Sequence, residues 1–567
     1  MKKQSLILTL ALVVLTFFGC KPPKEFIDNI KATPTPAEYK GGKIEVVFEG
    51  NFPNKYFGKK MTMQVVPVLT TADGKVYKAK PVNYQGEKVK DNNDIIKYKV
   101  GGKYTHTATW DYVEGMENGV ITLEASGKYG KKDYTLEPIK VLEGVNITPL
   151  LVSLEPTKTG VDNTVNTDNL KAVIVSDKFQ RIIEEKTDAQ IKFLVNQSNI
   201  RDSERKTEEI VNLTKAIKEA KATENKEIKS IEISSYASPE GELDWNEKLS
   251  DNRGKASSNY INRELKKLKA SVNIDSKFTA EDWDGFQKLV EASSIEDKSI
   301  ILRVLAMYTD PQQREQEIKN IAVAYKAIAE EILPELRRSK MTLTVNVIGK
   351  SDAEIDSLVK VDAKQLNVEE LLYAATLVNN NDEKVAIYTK ATEIYANDYR
   401  SFNNLGMVLY NQGKIEEAAR CFEKALELAP NCPYVNYNNG LIALAKKDIA
   451  KTEEYFGKAG GVGKDLDYAN GAIAILKGNY KKAADLFGSA ATNNAALAHI
   501  LNKNNGAARK ALENIANPNA VTAYLKAIVA ARTNNAAEYE ANIVEASKCA
   551  KLAERAKTDI EFVNVRK

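Results

Sequence analysis

Arg253 is the side chain best placed to do chemistry on a ligand. Leu249, Arg253, Ala256 and Tyr260 are separated by four, three and four residues, so on a helix they share one stripe with core-facing neighbours. A guanidinium taken out of water needs an anion, and its planar fork suits a carboxylate. Glu240 or Asp251 could supply an internal ion pair, and a ligand carboxylate could do the same. Just upstream, Ile228 to Ser235 is β-rich with Ile231 and Ile233 on one face, which predicts a half-buried strand that Pro239 and Gly241 stop. A strand, a turn and the start of a helix must therefore position Ser238, Glu240, Asn246 and Arg253.

Other chemistry is thinly represented. The two histidines, His106 and His499, are hundreds of residues apart, which argues against most hydrolytic triads and His-rich metal sites but leaves a carboxylate-only enzyme open. Phosphate-binding glycine loops and Cys-x-x-Cys pairs are absent from the sequence. We therefore expect no catalytic residues, no metal, no cofactor and no enzymatic activity. With 81 basic and 77 acidic residues mixed along the chain, a nucleic-acid partner is not expected. Cys421, Cys432 and Cys549 read as small buried hydrophobes, although an odd number leaves a free thiol unless chains pair.

Around the arginine, Asn246, Leu249, Ser250, Arg253, Gly254, Ser257 and Ile261 follow Ser-Tyr-Ala-Ser-Pro-Glu-Gly at residues 235 to 241. This spacing resembles the peptidoglycan-binding signature of OmpA-like domains. The resemblance implies an α/β unit in which Arg253, with a loop aspartate, holds the diaminopimelate of a peptidoglycan peptide stem. Ser238 stands where that aspartate belongs, and Glu240 offers a carboxylate two residues on. Arg337 and Arg338 resemble the family's arginine-rich entry to its last strand.

The elements around this motif are predicted as follows. Ile191, Phe193 and Val195 alternate as a first strand, Glu204 to Ala222 supplies a helix, and Met341 to Val347 alternates as the final strand. Residues 176–350 thus form the OmpA-like domain. It carries a helical insertion at 270–334, with one helix opening at Glu281-Asp282-Trp283 and another over Gln312 to Leu333, that could cover or extend the groove.

At 567 residues the chain should hold three or more domains. Lys2 and Lys3, an apolar run from Leu6 to Phe18, then Gly19-Cys20 give the regions of a secretory signal over 1–20. This resembles a bacterial lipoprotein signal and implies lipidation at Cys20, a membrane held through the lipid, and an outer-membrane location facing the periplasm. A linker is expected at 21–37. Over 38–148, short β-rich segments such as Lys43 to Phe48, Met61 to Leu69, Ile95 to Val100, Val120 to Tyr129 and Tyr134 to Val141 predict an antiparallel sandwich. Its aromatics, among them Tyr56, Phe57, Tyr104, Trp110 and Tyr112, fit either a core or a binding face. A second linker is expected at 149–175.

In the last third, Phe402, Leu405, Gly406, Ala418, Phe422, Ala425 and Pro430 fall at the spacings of a helix-pair repeat. They resemble the tetratricopeptide repeat, whose period is 34 residues. Neighbouring copies place Gly440 with Phe456 and Gly471 with Phe487 at corresponding sites, which predicts an α-solenoid over 360–567, finished by one or two divergent pairs and a cap. Stacked pairs leave a concave surface suited to a peptide or partner segment. Asn403, Asn404, Asn436, Asn438, Asn439 and Asn470 lie on the first helices of their pairs and could hold an extended backbone, or could be plain surface polarity.

The fold class expected is multidomain: an N-terminal all-β sandwich, a central OmpA-like α/β domain with a helical insertion, and a C-terminal α-solenoid. The function expected is a non-enzymatic outer-membrane lipoprotein that contacts peptidoglycan and recruits a protein partner through its repeats. The alternative is a protein–protein adaptor in secretion or surface-appendage assembly whose OmpA-like domain no longer binds the wall.

Overall fold

The computed structural model describes residues 23–27, 29–154, 170–296 and 298–566. The signal segment with Cys20, and residues 155–169 of the second expected linker, lie outside the described residues. Two compact units result: one joins residues up to Ser176 with Val378 onward, and the other spans Asp177–Leu377.

In the first unit a β-sandwich precedes a helical solenoid. One sheet is built on strands Lys43–Phe52 and Gly102–Asp111, which pair antiparallel along their whole length, and the other on Met61–Thr70 and Val120–Tyr129. Tyr104, His106, Ala108 and Trp110 alternate inward along Gly102–Asp111, a period-2 signal that the segment prediction passed over. The flagged aromatics serve the interior: Phe57, Tyr104 and Trp110 are buried with Phe52 and Tyr84, while Tyr56 and Tyr112 pack against this core. The strand expected over Tyr134 to Val141 is two strands, Lys132–Thr135 and Ile139–Glu143, which both pair with Val120–Tyr129 but in shifted register, with a further shift between Lys140 and Leu142. Pro138 lies at the break and has no N–H to continue the ladder.

Five helix pairs follow helix Asn381–Ile394. They are Tyr399–Asn411 with Ile415–Leu428, Pro433–Ala445 with Ile449–Gly457, Lys464–Leu476 with Tyr480–Phe487, Asn493–Leu501 with Asn505–Glu513, and Ala520–Arg532 with Ala536–Ala546. Helix Ala550–Thr558 closes the array. A methyl group placed on Gly406, Gly440 or Gly471 would lie 2.7, 2.3 or 2.8 Å from the ring of Phe422, Phe456 or Phe487. Close helix approach thus demands a residue without a side chain in three successive pairs, which is the physical content of the repeat. The sandwich docks on the far end of this array. Asn146 and Thr148 each donate to Glu561 at 2.8 Å, and the same carboxylate takes Arg532 Nη2 at 2.5 Å and Nε at 2.8 Å.

The second unit carries a four-stranded sheet in the order Ile182–Lys192, Arg338–Ile348, Lys226–Tyr236, Ile274–Thr279, antiparallel except for the last pair. Helices Glu208–Ala222 and Leu243–Lys267 bury Ile210, Leu213, Ile217, Ile261 and Leu265 against Ile231, Ile233, Met341 and Leu343 of the sheet. The first strand starts and ends earlier than expected. Its chain turns away after Lys192, leaving Leu194 and Val195 about half exposed, with Asn196 in a left-handed conformation. The insertion has its own small core of Phe286, Val290, Ile301, Leu305, Ile318, Ile328 and Leu336. The single helix expected over Gln312 to Leu333 is broken at Ile321. Helix Val368–Ala374, expected at the head of the solenoid, belongs instead to this unit together with helix Asp352–Val361, and here Phe179 stacks on Tyr373 at 4.2 Å.

Candidate functional site

Arg253 sits where its helical stripe directs it, 1% exposed, but neither Glu240 nor Asp251 pairs with it. Its Nε donates to the Gln197 carbonyl at 3.0 Å, Nη1 to Tyr236 at 2.9 Å and Nη2 to Leu194 at 3.2 Å, and the guanidinium lies 5.3 Å from the Phe193 ring centre. Burial and the nearby Arg337 charge push the guanidinium down to about 10. Arg253 therefore ties the end of one strand, and the turn after another, to the helix between them. A ligand carboxylate would have to displace those carbonyls.

The other residues assigned to a wall ligand are gathered beside it and engaged with one another. Arg337 donates to Glu240 at 2.7 and 3.0 Å, and Ser238 Oγ donates to the same oxygen at 2.8 Å. Asn246 donates to the Glu240 carbonyl at 3.3 Å and to Glu281 of the insertion at 3.2 Å. Glu315, also from the insertion, accepts from the Gly241 N–H at 2.8 Å. Burial raises the Glu281 carboxyl despite its hydrogen bonds from Trp283 and Asn246. Arg338 turns to Asp282, the residue that caps helix Trp283–Ala292. The insertion thus closes over the motif.

A second site lies on the solenoid. Asn404 accepts from the Val175 N–H at 2.9 Å and donates to the Val175 carbonyl at 2.9 Å. One repeat later Asn438 accepts from the Val173 N–H at 2.8 Å and donates to its carbonyl at 2.8 Å. Asn494 does the same to Ser153, at 2.8 and 3.0 Å. These asparagines stand at one structural position, eleven residues before Ile415, Ile449 and Asn505, the first residues of the second helices of their pairs. The third pair carries Ala469 there, eleven residues before Tyr480. Asn403 links the first two clamps, donating to the Val173 carbonyl and to Asn404 while accepting from Asn438.

The expected linker at 149–175 is therefore part of the solenoid at both its described ends. Leu170, Ala172 and Val175 are buried, and Leu151, Val152 and Leu154 pack on the C-terminal pairs. Of the asparagines assigned to a partner, Asn403 and Asn404 hold this chain itself. Asn436 donates to the Pro430 and Cys432 carbonyls and so closes the loop before its own helix. Asn439 ties its helix to the Phe422 carbonyl of the preceding pair. Asn470 is half-buried within helix Lys464–Leu476, with no side-chain hydrogen bond among the described residues. Asn494 was missed because its pair lacks the glycine and phenylalanine that mark the others, although the eleven-residue count from the second helix finds it.

A family model described as tetratricopeptide repeat matches residues 399–432. The C-terminal helical solenoid thus contains a tetratricopeptide repeat and is tetratricopeptide-like. No curated protein matches the chain. Among solved structures, a tetratricopeptide repeat protein from Parabacteroides merdae is 15% identical over 49% of this chain and 99% of its own, with a TM-score of 0.26. The pilF protein of Pseudomonas aeruginosa is 14% identical over 38% of this chain and 98% of its own, at 0.28. PilW, described as a type IV pilus biogenesis factor, is 14% identical over 36% and 97%, at 0.27.

Proposed function

We propose that this chain is a non-enzymatic, lipid-anchored envelope adaptor whose tetratricopeptide array engages a protein partner through the main chain of an extended segment. The observation that carries this reading is the set of asparagine clamps on one structural position of the first helices, each holding both polar groups of one residue. A side-chain amide offers one donor and one acceptor side by side, so it can replace a neighbouring strand. The Gly19-Cys20 signal supports the anchor, with Cys20 as the lipid-bearing residue. The test is a photo-crosslinking residue at the half-buried Asn470 in cells: one dominant crosslinked envelope protein, lost in Asn404→Ala/Asn438→Ala, supports the reading, and no crosslinked protein opposes it. Cys20→Ser should move the chain from the membrane to the soluble fraction.

Peptidoglycan contact is the second reading, favoured by the spacing of Asn246 and Arg253 and by the Ser238–Glu240–Arg337 cluster. The engaged state of those residues favours an α/β unit that serves protein contacts or spacing. In a peptidoglycan pull-down with the full chain, retention that free diaminopimelate competes away would restore the wall tether, and no retention is expected.

A further inference from the structure

We infer that residues 170–176 are a tethered pseudo-ligand of the tetratricopeptide groove, and that the groove's partner is an extended segment able to replace them. The inference rests on the adaptor reading and adds its regulation. The grip falls on groups that every non-proline residue has: the N–H and carbonyl of Val173 go to Asn438, and those of Val175 to Asn404. Side chains add a modest requirement, since Leu170, Ala172 and Val175 are buried while Ile174 is 40% exposed. An incoming segment thus needs two clamped residues two positions apart, neither of them proline, with small or aliphatic neighbours.

The strap covers its clamps. With it in place Asn403, Asn404 and Asn438 are at most 1% exposed, and without it Asn438 would lose both main-chain partners of Val173. An incoming segment offers the same N–H and carbonyl. Exchange therefore replaces like with like, and the covalent tether, which raises the local concentration of the strap, keeps the resting groove shut. The strap also fixes polarity. Ser153 meets the fourth pair, Val173 the second and Val175 the first, so the chain runs against the order of the repeats.

The test uses the full chain as Cys20→Ser, with a fluorescent peptide of residues 168–178 as probe. Val173→Pro/Val175→Pro removes both clamped N–H groups from the strap while leaving the groove intact. This variant should bind the peptide at least about tenfold more tightly than the unaltered strap allows, because a closed groove lowers apparent affinity by the fraction open. Asn404→Ala/Asn438→Ala added to it should abolish binding. A folded variant that ignores the peptide, or equal binding with the strap intact, overturns the inference. Pairing of the proline variant with an unaltered chain into a dimer would give the groove to a second copy and overturn the partner. Should the proline variant not fold, amide exchange on the unaltered strap decides: excess peptide should speed exchange at residues 170–176, and unchanged protection counts against exchange. The inference can fail in this way while the adaptor reading still stands or falls on the crosslinking result.

Discussion

At the residue scale, Arg253 shows how a well-read motif can answer a structural need. The helical stripe correctly located the guanidinium, but the anion it calls for is replaced by three carbonyls, one from a strand end and two from a turn. Tyr236 lies 17 residues away, and Gln197 and Leu194 lie 56 and 59 residues away; a carbonyl carries no sequence signature, so nothing local announces them. Arg253→Ala would remove three hydrogen bonds and a buried side chain that tie two segments to the helix, and should destabilise the protein by about 3 kcal/mol, read as a lowered urea midpoint for the second unit. Arg253→Lys, with fewer donors in a less fixed geometry, should recover part of that. The asparagines separate in the same way. Asn439→Ala should cost about 1 kcal/mol in thermal unfolding through two lost carbonyl bonds, whereas Asn470→Ala should leave the melting temperature unchanged.

At the scale of elements, the array was legible because its packing rule is written in residue types. Gly406, Gly440 and Gly471 each meet a phenylalanine ring, and a missing side chain opposite an aromatic one can be read without coordinates. Gly440→Val should force apart a helix pair whose ring lies 2.3 Å from the added carbon, costing about 2 kcal/mol by thermal unfolding. The strap was not legible. Ala172 to Val175 is an apolar, largely β-branched run that reads as a strand, yet its ladder is supplied by side-chain amides more than two hundred residues on. A strand prediction looks for a strand partner, and here there is none. The break at Ile321 and the early turn after Lys192 were equally hidden, the latter because Arg253 collects its carbonyls only in the folded chain.

At the scale of the molecule, the chain expected as three separate bodies forms two units, since the sandwich and the array share one. The joint centres on Glu561. Burial raises its carboxyl, but hydrogen bonding and charge from Arg532, with Asn146 and Thr148, outweigh this and hold it below the ordinary glutamate value. A depressed folded-state value means that the stabilisation is complete above the unfolded glutamate value of about 4.3 and is lost as pH falls through the folded one. The first unit should therefore melt at progressively lower temperature under acid conditions. Glu561→Gln should flatten that dependence while lowering the melting temperature at neutral pH.

The most direct measurement on the central claim, that the array binds extended main chain through its asparagine clamps, is amide hydrogen exchange at Val173 and Val175 in the full chain. Slow exchange at both, with Asn404→Ala releasing Val175 and Asn438→Ala releasing Val173, is the predicted result. Rapid exchange at both positions in the unaltered protein, or protection that survives loss of both asparagines, would contradict it.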